Sequence, residues 1–250
     1  VQRQIAIGIG IVVVIALAAW WWLAASPAPP SPVEKAPVPP PVQEEAAAPE
    51  EVVAPALPPL DGSDTLLRDE LFALGLPGPL AGLLDTREIV RSVVVAVNAV
   101  AGGRSPRDQV GFLAPDGYFD VIERGAGLYV DPESYRRYDA LAAAVAAVDA
   151  EAAVRSYLRL EPLADLAYAE LGMQGSFRDR LAEAIEHLLG APVLRGEIEV
   201  EDAIDRYRFA EPELEGLSDA QKHLLRTGPD NEELIQQQLR RFRDALFAAN

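Results

Sequence analysis

Cysteine is absent from all 250 residues, which excludes disulfides, thiolate metal sites and cysteine nucleophiles. That absence is compatible with an oxidising envelope compartment. Histidine is nearly absent too: His187 and His223 are the only two. Neither has metal-ligand spacing or lies near a recognisable nucleophile. His187 falls late in an expected helix, where a partly charged imidazole suits the dipole. Positive charge is scarce, with 22 Lys and Arg against 39 Asp and Glu and a net charge of −17. Removing Arg3 and Lys35, and the acids Glu34, Glu44, Glu45, Glu50 and Glu51, leaves 20 basic and 34 acidic residues. The part from Asp61 onward therefore carries −14. Such an acidic body argues against nucleic acid and against lying flat on anionic lipid.

Charge of either sign is missing from Ile5 to Ala25, IAIGIGIVVVIALAAWWWLAA. As a helix this run covers about 30 Å, enough to cross a bilayer's hydrocarbon core. A cleaved signal peptide fits less well, because the run is long and its small-x-small option, Ala24 and Ser26, leaves Pro27 directly after the cut. Arg3 precedes the run and no Lys or Arg follows before Lys35, so the stub 1–4 is expected in the cytoplasm and the rest outside. Trp20, Trp21 and Trp22 then fall at the outer membrane interface. Ala6 and Gly10 make a small-xxx-small pair, a pattern common by chance.

Residues 26–60 are dense in proline, which lacks the amide donor and fixes φ, so an extended stalk is expected. Pro27–Pro30 and Pro37–Pro40 match PxxP. Such matches arise in any proline-rich tract, and the stretch reads as a spacer.

Residues 61–250 read as one mainly α-helical, bundle-like domain with one or two short β-hairpins. A first helix is expected from Ser63 or Asp64 to Gly75, its apolar side including Leu67, Leu71, Phe72 and Leu74. A second starts at Asp85 with Glu88 completing a capping box and ends at Gly102. Phe119–Glu123 and Leu128–Val130 flank Arg124-Gly125-Ala126-Gly127 as a hairpin. Asp131 caps a helix with Pro132 at its first position, and Asp149 starts another that Pro162 kinks or divides. Ser176 with Asp179 opens a further helix, closed by Gly190. Glu197–Val200 and Tyr207–Phe209 are possible strands, and Ser218 with Gln221 is a capping box. The last helix, about Asn231 to Phe247, places Leu234, Ile235, Leu239, Phe242 and Leu246 on one face. Its acids Asp230, Glu232 and Glu233 and its bases Arg240, Arg241 and Arg243 complement the macrodipole.

RYDAL (137–141), AYAELG (167–172), LLGAP (188–192) and above all LEGLSDAQKHLLRTGPDNEELIQQQL (214–239) carry a resemblance. With the apolar run and stalk, the chain resembles the bacterial family called domain of unknown function 3014. Thr227 stands where the LLR-x-GP signature favours an apolar residue. The resemblance implies a single-pass bacterial membrane protein and supplies no activity, cofactor or catalytic residue.

No Gly-x-Ser-x-Gly occurs, and Ala101-Gly102-Gly103-Arg104 lacks the spacing and the Lys of a phosphate loop. No metal or cofactor site is expected. Paired carboxylates are the remaining catalytic option: Asp116, Asp120 and Glu123 near the hairpin, or the run Glu197, Glu199, Glu201 and Asp202. The first set misses EF-hand spacing, and the second reads as the wet side of a strand. Tyr135-Arg136-Arg137-Tyr138 together with Lys222, Arg226 and Asn231 form the candidate interaction surface, since arginine and tyrosine make good contacts. The bland reading has Arg137 and Arg226 pinning helices through nearby acids.

The expectation is a noncatalytic interaction or scaffold module, anchored in the inner membrane and displayed in the periplasm toward an envelope protein partner. The alternative is a cell-wall or envelope hydrolase using paired carboxylates. A ligand sensor would have to signal through a partner span, because a four-residue stub offers nothing inside.

Overall fold

The computed structural model describes residues 57–73, 75–76, 78–203 and 206–249. The apolar run 5–25, its tryptophans and the stalk up to residue 56 lie outside the described residues. Among the described residues no helix is long and apolar enough to cross a membrane.

Helices dominate: α1 (Asp64–Ala73), α2 (Ile89–Ala101), α3 (Asp139–Ala146), α4 (Ala150–Glu170), α5 (Phe177–Leu189), the single turn α6 (Pro212–Glu215), α7 (Asp219–Leu225) and α8 (Pro229–Ala248). The β part is one four-stranded antiparallel sheet in the order β1 (Val121–Arg124), β2 (Gly127–Val130), β3 (Glu199–Ala203), β4 (Arg206–Phe209). The two expected hairpins thus merge, through Leu128 opposite Val200 and Tyr129 opposite Glu199.

Helix α8 is the axle of the bundle, packing against α3, α4, α5 and α7. Ile235, Leu239, Phe242 and Leu246 are buried on its inner face, whereas Leu234 is 40% exposed and belongs to the outer one. Two buried glutamines on α8 satisfy loop carbonyls that the helices leave open: Gln236 donates to Ala191 O at 2.9 Å and Gln238 to Val148 O at 2.6 Å. A smaller apolar cluster under the sheet joins Val130, Val200 and Phe209 to Leu214 and Leu225.

The start of α2 differs from expectation. It begins at Ile89, not Asp85, and Glu88 sits at φ 50, which no capping box uses. The cap comes from α1: the Asp64 carboxylate accepts from the amides of Glu88 (2.9 Å) and Ile89 (2.8 Å). Arg68, one turn on, pairs with Asp64 at 3.2 Å and donates to the carbonyls of Leu84 and Thr86. Phe72, expected inside, is 79% exposed.

Asp131 caps as expected, accepting from Glu133 N, but the turn it opens (Pro132–Tyr138) is a 3-10 helix before α3. Pro162 does not divide α4, which runs unbroken across it. Asp149, Ser176 and Ser218 all cap helices, the last in a complete capping box.

Candidate functional site

The turn Leu225–Pro229 between α7 and α8 brings distant parts of the chain together. Gly228 has φ 85, a backbone state that glycine adopts without strain. The Tyr135 ring lies directly over it: a Cβ at Gly228 would stand 2.4 Å from Tyr135 Cγ. Pro229 then opens α8, where its missing amide costs nothing. Asn231 latches this turn to the 132–138 segment. Its Nδ2 donates to Tyr135 O (3.0 Å), Asp139 Oδ1 (3.0 Å) and Thr227 O (3.1 Å). The hydroxyl of Thr227, itself buried, donates to Leu224 O at 2.7 Å.

Beside this latch opens a cavity of about 500 Å3 between the β1–β2 hairpin, the 132–138 turn and the start of α8. Tyr129 and Tyr135 line it, with Arg124, Arg136, Asp139 and Asp230 at its border. Tyr129 reaches it by lying across Gly127, whose absent side chain leaves room for the phenol. A second depression of about 440 Å3 meets the first at Tyr129, Gly196 and Glu197. Together they form a groove past the solvent face of the sheet. Its charges are already engaged: Arg124 pairs with Glu197, Arg136 with Glu133 at 2.9 Å, and Asp230 with Arg195 at 3.0 Å. The carboxylate of Asp139 accepts from the Asn231 amide.

Of the residues singled out in the sequence, Tyr135, Arg136 and Asn231 line this cavity, whereas Arg137, Tyr138, Lys222 and Arg226 do not. Arg136 is exposed, Tyr135 half-buried, and Tyr138 and Asn231 are buried. Arg137 donates to Ser134 O at 2.8 Å and lies over Phe119 and Tyr138, with its guanidinium 6.0 and 5.7 Å from the ring centres. Arg226 stacks over Phe209 at 5.0 Å and donates to Tyr207 O. Lys222 pairs with Glu215 at 3.3 Å. Burial lowers the pKa of both Arg137 and Arg226, through the cost of desolvating a cation.

The carboxylate sets behave otherwise. Asp116, Asp120 and Glu123 are exposed, and Glu199 and Glu201 lie on the wet face of β3. Glu201 is paired across the sheet to Arg208 at 2.6 Å. Among the described residues no group of acids and histidines is arranged to hold a metal ion.

Two buried ionisable groups near the site carry no obvious signal in the sequence. Glu232, 1% exposed in the first turn of α8, is pushed up to about 8 by desolvation and by Glu233. It is therefore mostly neutral at pH 7 rather than a dipole-complementing anion. Burial, with the smaller effect of the Glu232 charge, raises Tyr135 to about 12, keeping that hydroxyl a donor. His223 is pushed down to about 3 by burial and by Arg226, Arg107 and Lys222. His187, expected to be partly charged, is also shifted down by burial, and its Nε2 lies 2.7 Å from Ser218 Oγ. Both histidines are thus structural neutral groups. Amphipathic spacing would place Glu232 inward beside Asn231 and Ile235, which is the one clue the sequence held.

Fold and site define a mainly α-helical domain with a small antiparallel sheet and a groove at the sheet's border. The chain belongs to the family described as Protein of unknown function (DUF3014), which matches residues 89–243, from the first residue of α2 into α8. No curated protein and no solved structure matches the chain.

Proposed function

We propose that this chain is a membrane-anchored envelope protein whose domain is a noncatalytic interaction module displayed in the periplasm. The anchor is the uncharged run Ile5–Ala25, and residues 26–56 are the tether that sets the reach, since Leu57 and Leu60 of the expected stalk already pack on the helical core. The observation that supports recognition over catalysis is the groove. It is lined by two tyrosines laid over glycines and bordered by acids already tied to arginine or amide partners, a lining suited to holding a polypeptide.

The test is a membrane-impermeant crosslinker applied to intact cells, comparing the full chain with a form lacking 26–56. Reaction of the domain from outside, with capture of one envelope protein that the shortened form loses, supports the reading. A domain that stays unreactive while periplasmic controls react would overturn the topology.

A further inference from the structure

We propose that the groove beside Tyr129 and Tyr135 is the docking site for the chain's own proline tract, Lys35-Ala36-Pro37-Val38-Pro39-Pro40-Pro41. This goes beyond the tethering role and holds on either side of a membrane.

Three observations select this occupant. The first is chemistry. Polyproline segments have three residues per turn and no internal hydrogen bonds, so Pro37 and Pro40 share one edge and the backbone carbonyls stay open. Aromatic faces with flanking donors are what such segments dock against. Here Tyr129 and Tyr135 supply the faces, while the Tyr135 hydroxyl, the Arg136 guanidinium and the first amides of α8 supply donors.

The second is charge. Lys35 is the only cation between Ser26 and Ala56, and it immediately precedes the tract. The groove border carries Asp139, which accepts from the neutral Asn231 amide and lies in the field of Arg136, itself ion-paired with Glu133. A lysine there meets a carboxylate that is hydrogen-bonded to an amide and shares its cation with a second acid.

The third is reach. The described chain begins at Leu57, packed on the helical core four residues before Asp61, whose carboxylate pairs with Arg91 near the start of α2. From there α2 leads to Gly103, whose carbonyl accepts from Ala220 in α7, the helix that runs into the Leu225–Pro229 turn, where Thr227, Gly228 and Pro229 line the groove. Thirteen helical residues are about 20 Å long, whereas the 22 steps from Lys35 to Leu57 extend to about 68 Å. The tract can cross the domain with length to spare.

The absence of native cysteine makes the test clean. In the full chain in detergent micelles, Val42→Cys and Ala126→Cys, the latter in the exposed hairpin turn, are spin-labelled and their separation is measured by pulsed electron resonance. Docking gives one distance peak about threefold narrower than a free tether of this length gives. Lys35→Glu changes no residue of the described domain, and Asp139→Asn keeps the acceptor for Asn231; each should broaden the peak toward the free width. A broad distribution that Lys35→Glu leaves unchanged overturns the proposal. A narrow peak seen only when singly labelled chains are mixed overturns it too, assigning the groove to a second copy's tract. Neither result touches the topology, which the crosslinking experiment decides.

Discussion

The carboxylate of Asp64 caps a helix that begins 25 residues after it, accepting from the amide of Ile89 at 2.8 Å. One side chain therefore ties the first turn of α1 to the start of α2. Losing a cap of this kind typically costs about 1–2 kcal/mol. Asp64→Ala should lower stability by about 2 kcal/mol, since two amides and Arg68 lose a partner together. Asp64→Asn should cost less. Urea unfolding of both variants checks the order, and equal losses would argue for a purely electrostatic role.

Gly228 is held at φ 85 with the Tyr135 ring against its Cα. Gly228→Ala should cost upwards of about 2 kcal/mol, combining backbone strain with a clash. Tyr135→Gly in the same chain should recover the clash, since the Tyr135 Cβ itself would stand 2.7 Å from the new methyl, but not the strain. A double-mutant cycle in unfolding free energy separates the two; strict additivity would mean that ring and glycine do not touch.

Asn231 spends its amide on three carbonyl or carboxylate oxygens from the 132–139 segment and the α7–α8 turn. Asn231→Ala leaves those acceptors without this donor, at a cost of about 1–3 kcal/mol. Amide exchange should then speed up at the start of α8 and across 135–139 together. Faster exchange confined to α8 would show that the latch is local.

Stability should depend on pH in two opposed ways. Glu232 has a folded pKa near 8 against 4.5 unfolded, so the folded state holds the extra proton and stability falls as pH rises between those values. His223 has a folded pKa near 3 against 6.5, so the unfolded state holds the extra proton and stability falls as pH drops through that window. The effects offset from pH 4.5 to 6.5, leaving a maximum there and a decline from 6.5 to 8. Glu232→Gln should abolish that decline and add on the order of 2 kcal/mol at pH 8. Urea midpoints across pH 4 to 9 measure it; a variant less stable than the parent at pH 8 would refute the assignment.

Much of this was legible in the sequence because the signals were local. Asp131, Asp149, Ser176 and Ser218 cap where short-range spacing puts them, and the hairpin turn at Gly125-Ala126 falls between its strands. The misses share a cause. Asp85 and Glu88 had the local pattern of a cap, yet Asp64 reached the same amides from another helix. Leu234 was placed inside by an apolar count, while Glu232 and Gln238 took inward positions because tertiary partners and burial override residue type. The Tyr-Arg stretch was singled out together with Lys222, Arg226 and Asn231, but spacing could not reveal that only Tyr135, Arg136 and Asn231 line the cavity, or that Tyr138 and Asn231 turn inward and Arg136 outward.

The sheet has a kinetic consequence. Each hairpin closes over a turn of a few residues, yet the seam between Leu128 and Val200 spans about seventy residues that hold α3, α4 and α5. The hairpins can form by themselves, but the seam closes only once those helices have collapsed onto α8. The groove, which lies along that seam, should therefore be the last part of the domain to mature. During refolding, a chain arrested early would be helical and compact while still unable to hold anything there.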